Sequence, residues 1–169
     1  APLIERTVRE LLDAFKDRDE IDFVGEFAHP LPMIVIAELI GVPPTDIARF
    51  KAWSDAIVEP FSMMVSPARE VECARLVVEM QHYFAALLEE RRRAPREDLL
   101  TQLVRAAAEP GQEFDLQEQL TIITIDLLAS GNETTTAALS SGVLLLINDP
   151  SPIGAIQRNP DLLDNFCEE

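Results

Sequence analysis

Apolar residues recur at intervals of three and four along most of the chain, which is the period of an amphipathic α-helix. The period holds over residues 3–15 and over a long segment at 68–93. A third run, 33–40, is almost wholly apolar and ends at Gly41, a common helix-terminating residue. Shorter periodic segments at 45–58 and 99–104 predict further helices. Because strand-like alternation is almost absent, the pattern predicts an all-α fold.

Residues 60–67, which precede the long helix, begin and end with proline and are typical of a loop. This loop carries three large apolar side chains, Phe61, Met63 and Met64. These side chains either face a ligand or pack against a neighbouring helix. Met63 and Met64 are our candidates for the wall of a ligand pocket.

The clearest helix start lies at Asp115, where Glu118 follows three residues later in the pattern of a capping box. The apolar run that follows is interrupted once and then resumes. A single helix of about 33 residues would be about 50 Å long and would cross the whole domain. A membrane span is not expected, because Asp126, Asn132 and Glu133 place costly polar groups near its middle.

The interruption is a cluster of small and polar residues at 129–136, where packing alone would favour leucine. A glycine inside a helix costs about 1 kcal/mol relative to alanine, and a buried carboxylate costs more unless it is paired. Such local violations are common at functional sites. Two interpretations remain open. Either Glu133 and its neighbours perform chemistry, or Glu133 faces solvent and the threonines bond to carbonyl groups one turn earlier.

At 100° per residue, the polar positions of this helix share one side. This stripe consists of Asp126, Ser130, Glu133, Ala137 and Ser141, with Thr134 at its edge. Small side chains in such a stripe would fit a flat apolar cofactor that has a polar reacting centre. The pattern therefore predicts that the helix presents this side to a ligand within the protein.

The composition limits the possible partners. With 14 Lys and Arg against 30 Asp and Glu, the net charge of -16 opposes binding to nucleic acids and to anionic membranes. The two cysteines, Cys73 and Cys167, lack metal-type spacing and are compatible with a reducing, cytoplasmic location. The sequence opens without a signal-peptide pattern and without methionine, so we expect it to begin inside a longer protein.

Some charged and titratable residues are interpreted as structural. His29 and His82 have no partner at metal-ligand or triad spacing in the sequence. An arginine-rich run is interpreted as a solvated helix end, favoured by the negative end of the helix dipole. Its members are Arg91, Arg92, Arg93 and Arg96.

Residues 127–136, with the sequence LLASGNETTT, resemble the oxygen-binding I-helix signature of the haem-thiolate monooxygenases, the cytochrome P450 superfamily. Residues 30–43, PLPMIVIAELIGVP, are similar to a helix and turn of the soluble bacterial branch. Residues 159–169 resemble the approach to that branch's K helix. The three segments occur in the family's order. The resemblance implies the helical portion of the P450 fold, with a long central I helix.

The resemblance also implies roles for individual residues. Glu133 and Thr134 match the acid and the alcohol that deliver protons to dioxygen. Ala129, Ser130 and Gly131 are the predicted haem contacts, and Ser130 stands where the family usually has alanine. The predicted substrate-facing residues are Asp126, Ala129, Met63 and Met64.

The partners implied by the resemblance are haem, dioxygen, a ferredoxin-type electron donor and a small lipophilic substrate that is hydroxylated or epoxidised. No segment matches the family's cysteine loop, so the iron ligand is predicted to lie outside this chain. Residues 1–169 are then a single but partial domain, without the family's N-terminal sheet region, and inactive alone. The alternative from another class is a non-catalytic helical ligand-binding or interaction module.

Overall fold

The computed structural model describes residues 2–111 and 114–168, so Glu169, at the end of the K-helix resemblance, lies outside the described residues. The described residues form helices and connecting turns without a strand, which confirms the predicted all-α fold. The first helices are α1 (Pro2–Asp13), α2 (Pro30–Ile40), α3 (Ile47–Val58), α4 (Pro67–Arg93) and α5 (Leu99–Ala106). A short π-helical segment, Val24–Ala28, precedes α2.

The second half of the chain is dominated by one long helix, which we call the central helix. It comprises α6 (Leu116–Thr121), a π-helical segment (Ile122–Ala129) and α7 (Ser130–Asn148). Two shorter helices follow, α8 (Ser151–Arg158) and α9 (Leu163–Glu168). None of the described helices combines the length and the apolar character that crossing a membrane requires.

The helix ends follow local sequence signals. Asp115 and Glu118 form the predicted capping box, in which each side chain accepts a hydrogen bond of 2.8 Å from the other residue's backbone N–H. Gly41 ends α2 in the left-handed region, at a φ of 82°. A Cβ on Gly41 would lie 2.5 Å from Oδ2 of Asp98, so both its conformation and its surroundings require glycine.

The main hydrophobic core lies between α2, α3, α4, α5 and the central helix. Phe50 and Trp53 of α3 are fully buried against Phe84 of α4, and the rings of Phe50 and Phe84 meet edge to face at 5.6 Å. The other buried members of this core are Met33, Ala37, Ile40, Val42, Ile57, Met80, Leu88, Leu100, Leu120, Ile123 and Leu128. This packing fixes α3 against the central helix, which matters for the site below.

One arginine of the predicted solvated helix end is part of the interior. Arg91 is 1% exposed; its Nε lies 2.5 Å from Oδ2 of Asp98, and Nη2 donates to the carbonyl oxygen of Gly41 at 3.2 Å. The prediction of a solvated side chain is wrong for Arg91, because its guanidinium joins the ends of α2 and α4 to the start of α5. Arg92, Arg93 and Arg96 are exposed, as predicted.

The central helix differs from prediction in its hydrogen bonding. It runs without a break from Leu116 to Asn148, but Ile122–Ala129 is π-helical, with i→i+5 bonds in place of i→i+4 bonds. The predicted single long helix is confirmed, and only its hydrogen-bonding pattern differs from an α-helix over 122–129. The π segment ends at Ala129, the first residue of the small and polar cluster. Such π segments are frequent at functional sites.

Candidate functional site

The polar stripe of the central helix is open in the structure. The side chains of Asp126, Ser130, Thr134, Ala137 and Ser141 are exposed. Glu133 alone among the predicted stripe residues is half-buried. Glu133 therefore lies at the border between the exposed stripe and the packed protein.

Glu133 lines an open cleft between the central helix and the end of α3. The cleft has a volume of about 540 Å³ and is lined by Asp55, Val58, Glu59, Phe61, Ser62 and Glu133. Glu59 is held there by Arg69, whose Nε donates to it at 2.7 Å and lowers the pKa of the Glu59 carboxyl. The carboxylate of Glu133 is thus both partly enclosed by protein and accessible to water.

Two residues that the sequence did not connect with Glu133 lie beside it. His29 directly precedes α2, and Asp55 lies in the last turn of α3. One potential ligand atom from each of His29, Asp55 and Glu133 lies within 4.8 Å of the other two. Nε2 of His29 is 4.0 Å from Oδ1 of Asp55 and has no hydrogen-bond partner within the described part of the chain. Sequence spacing missed this group because its members come from three separate elements.

Hydrogen bonds on both sides hold this group in place. Nδ2 of the fully buried Asn132 donates to Oγ of Ser54 at 3.1 Å, which fixes the register of α3 against the central helix. Oγ1 of Thr136 donates to the carbonyl oxygen of Ala28 at 3.2 Å. Because Ser54, Asn132 and Ala28 are sequence neighbours of Asp55, Glu133 and His29, these bonds hold the backbone segments that carry the three side chains close together.

The side-chain hydroxyl of Thr134 forms a hydrogen bond with the backbone of its own helix. Its Oγ1 donates to the carbonyl oxygen of Ser130 at 2.5 Å, one turn earlier. The side chain remains exposed on the stripe, so the lone pairs of its oxygen are free to accept a hydrogen bond. The bond from a threonine hydroxyl to a carbonyl one turn earlier, one of the two possibilities left open by the sequence, is therefore present at Thr134. The hydroxyl oxygen nevertheless remains exposed.

The predicted haem contacts occupy different surroundings. Ser130 lies on the exposed stripe, whereas Ala129 packs partly buried against the core. A Cβ on Gly131 would lie 3.1 Å from Cδ1 of Ile36, so this glycine allows close approach of the central helix to α2. Ser130 therefore lies on the open face, whereas Gly131 faces α2.

The predicted pocket residues Met63 and Met64 are highly exposed, at 91% and 85%. Neither lines the larger apolar groove of the structure, which has a volume of about 660 Å³. That groove lies between α3, α4 and the start of the central helix, and is lined in part by Phe61, Val78 and Ile125. Ile125 directly precedes the predicted pocket residue Asp126, so one wall residue of the groove is the sequence neighbour of the N-terminal end of the stripe.

Comparison with known proteins decides the family. The chain is 36% identical to the putative cytochrome P450 YjiB of Bacillus subtilis, over 99% of this chain and 43% of that protein. It is 33% identical to 6-deoxyerythronolide B hydroxylase of Saccharopolyspora erythraea, over 99% of this chain and 40% of that one. The ligand-free structure of cytochrome P450 TbtJ1 matches with a TM-score of 0.87 at 36% identity, over 99% of this chain and 43% of its own. The chain belongs to the cytochrome P450 superfamily.

The predicted resemblance to the P450 superfamily is therefore confirmed, over 99% of the chain. A second solved neighbour, P450BioI in complex with an acyl carrier protein, has a TM-score of 0.88 at 29% identity and covers 99% of this chain. No protein-family model matches the chain. The chain spans less than half the length of the P450 relatives it matches.

P450 enzymes carry haem, so the side chains of the open stripe can be compared with the flat shape of that cofactor. Ser130, Thr134 and Ala137 present small side chains on one exposed face, without a bulky group among them. Such a face fits one side of a flat macrocycle. We propose that Ser130 and Thr134 would lie against the haem.

Neither cysteine resembles an axial P450 thiolate. Cys73 is buried in α4, and this burial raises the pKa of its thiol. Its Sγ lies 3.8 Å from Oε2 of Glu59, which gives the thiol hydrogen an acceptor. A thiol kept protonated is the opposite of the thiolate that binds iron. Cys167 is exposed in α9, away from the stripe in sequence.

Proposed function

We propose that the chain supplies the oxygen-activating helix and part of the substrate pocket of a haem-thiolate monooxygenase. The observation that supports this most strongly is the position of Glu133, a half-buried carboxylate on an open cleft, next to Thr134 on the exposed stripe. Haem, when bound, supplies the oxygen-binding iron and the redox chemistry. The residues of this chain hold and move protons.

Glu133 and Thr134 form the proton path in this proposal. Water in the cleft exchanges protons with the Glu133 carboxyl group. Glu133 lies where the stripe borders the cleft, and Thr134, about 100° further round the helix, lies at the exposed edge of the stripe. Because the Thr134 hydroxyl donates to Ser130, its oxygen is oriented to accept a hydrogen bond on the open side. Protons would thus pass from the cleft to the stripe at the surface of one helix.

The proposed substrate is small and lipophilic, and it is hydroxylated or epoxidised. The groove between α3, α4 and the start of the central helix is mainly apolar, with Phe61, Val78 and Ile125 among its walls. Solved neighbours at 34% and 33% identity hold myristic acid and testosterone, respectively, and both ligands are mostly hydrocarbon. A ferredoxin-type protein is proposed to supply electrons, as in the soluble bacterial branch.

The proton path is tested by Thr134→Ala in the full-length protein. Removing the hydroxyl should lower coupling, the ratio of product formed to dioxygen consumed, by at least about tenfold. Myristic acid, the ligand of one solved neighbour, is the proposed probe substrate. Its binding should change little, because the hydroxyl is proposed to serve proton delivery. The measurement combines an oxygen electrode with product and hydrogen peroxide assays.

Thr135→Ala is the matched control, since Thr135 is the adjacent exposed threonine on the same helix. Its coupling should equal that of the wild type. If Thr134→Ala retains wild-type coupling, Thr134 has no part in proton delivery. If both variants lose coupling together, the effect reflects the helix rather than the Thr134 hydroxyl.

We also propose that the iron ligand lies outside these 169 residues and that the chain alone is inactive. The support is the buried, protonated state that the surroundings of Cys73 favour. The isolated chain, reduced with haem and carbon monoxide, should not give the difference spectrum of thiolate-ligated haem. A thiolate-type spectrum that disappears in Cys73→Ala or Cys167→Ala would show that the ligand lies within the chain.

A further inference from the structure

The group formed by His29, Asp55 and Glu133 has the chemistry of a metal site. It offers one imidazole nitrogen and two carboxylate oxygens, all within 4.8 Å of one another. Bonds of about 2.1 Å to a tetrahedral Zn²⁺ would place such atoms about 3.4 Å apart. Binding would therefore draw the Asp55 and Glu133 carboxylates closer to His29.

The imidazole of His29 has a nitrogen that is unpaired among the described residues and lies next to the carboxylate of Asp55. His29 is half-buried as a residue, but its Nε2 atom is fully buried and lacks a hydrogen-bond partner in the described structure. An unpaired buried imidazole nitrogen is energetically costly. Lys51 binds Oδ2 of Asp55 at 2.8 Å and leaves Oδ1 on the His29 side. A cation between them would give Nε2 the partner that it lacks.

The local charge also favours a cation. Asp55 and Glu133 carry two carboxylates, and Lys51 is the nearby cationic group that pairs with one of them. Glu59 lines the same cleft, but its carboxylate is already engaged by Arg69. A bound divalent ion would therefore offset the charge that Lys51 leaves uncompensated.

The three side chains are held by separate backbone elements. The Asn132–Ser54 and Thr136–Ala28 hydrogen bonds fix the neighbours of each one. A site that is already assembled loses less conformational entropy when it binds an ion. The cleft on the Glu133 side gives the ion a path from solvent and leaves room for water as a further ligand.

We propose that His29, Asp55 and Glu133 form a binding site for a divalent transition-metal ion of the Zn²⁺ class. One imidazole with two carboxylates suits Zn²⁺ better than Mg²⁺, which prefers oxygen ligands and retains its water. Because Glu133 also belongs to the proposed proton path, a bound ion would hold its carboxylate and slow proton delivery. That consequence rests on the proposed function, whereas binding of the ion does not.

The test is Zn²⁺ titration of the full-length protein by calorimetry, with bound zinc measured by atomic emission after dialysis. We expect one Zn²⁺ per chain at this site and no displacement by Mg²⁺. His29→Ala, Asp55→Asn and Glu133→Gln should each weaken binding by at least about tenfold. His82→Ala is the control, because the exposed His82 lies on α4, and it should bind like the wild type.

Lys51→Met separates loss of a ligand from loss of folding. It removes the cation that competes for Asp55, so zinc binding should become tighter, a gain that a misfolded variant would not produce. Haem absorbance and circular dichroism confirm the fold of each variant. Absence of zinc binding in the wild type, or binding that survives His29→Ala and is unaffected by Lys51→Met, overturns the proposal. Neither result depends on monooxygenase activity.

Discussion

Replacing Arg91 by methionine should lower the free energy of unfolding by about 3–5 kcal/mol. The Arg91 side chain is fully buried, and Asp98 is only 5% exposed in its side chain. Methionine fills much of the same volume but leaves the Asp98 carboxylate without its cation and the Gly41 carbonyl without a donor. Urea unfolding of the full-length protein measures the change.

The pH dependence of this effect identifies its cause. Burial raises the pKa of Asp98, but the N–H of Thr101 and the guanidinium of Arg91 outweigh it, so the pKa lies below its ordinary value of 3.8. The stabilisation from Asp98 is therefore complete above pH 3.8 and is lost as the pH falls through the folded-state pKa. The difference between wild type and Arg91→Met should shrink on acidification, since a protonated Asp98 needs no cation.

Arg93→Met provides the matched control two residues later in α4. The Arg93 side chain is 76% exposed and pairs with Glu89 on the surface. Its replacement should change the free energy of unfolding by no more than about 0.5 kcal/mol. Equal effects at Arg91 and Arg93, or a difference at Arg91 that persists at low pH, would contradict a buried ion pair.

Arg91 also shows where sequence reasoning about the fold reached its limit. Apolar periodicity and caps predicted the helices because both signals are local: Asp115, Glu118 and Gly41 act within a few residues of their own positions. Burial of Arg91 depends on Asp98, seven residues later, and on Gly41 at the end of α2, 50 residues earlier. Neither contact can be inferred from the local pattern around Arg91. The π segment before Ser130 is equally invisible to a pattern that assumes a constant 3.6 residues per turn.

The candidate site divides in the same way. Glu133 and Thr134 could be predicted from the sequence, because a carboxylate and an alcohol are unfavourable inside an otherwise apolar helix. His29 and Asp55 were not, because their relation to Glu133 arises only from packing of α2 and α3 on the central helix. The energetic cost of polar residues inside one apolar helix is visible in the sequence of that helix. A group of side chains from three elements becomes visible only once the fold is known.

Glu133→Gln in the full-length protein should lower the rate of product formation from the proposed probe substrate, myristic acid, by about 100-fold. Glutamine keeps the size and hydrogen-bonding capacity of the side chain but has no carboxyl proton to exchange with water in the cleft. Myristic acid binding should be unchanged, since Glu133 lines the cleft beside α3 rather than the apolar groove. The assay contains EDTA, so that a bound metal ion makes no contribution.

Glu133→Asp distinguishes proton transfer from a structural role. Aspartate keeps the exchangeable carboxyl group but shortens the side chain, so it should retain more activity than glutamine if the proton matters. If Glu133 only supports packing and hydrogen bonds beside Asn132, the order reverses, because glutamine preserves the shape better than aspartate does. A glutamine variant as fast as the wild type would remove Glu133 from the proton path. Thr134 would then have to receive protons from the stripe side, through solvent that reaches its exposed oxygen.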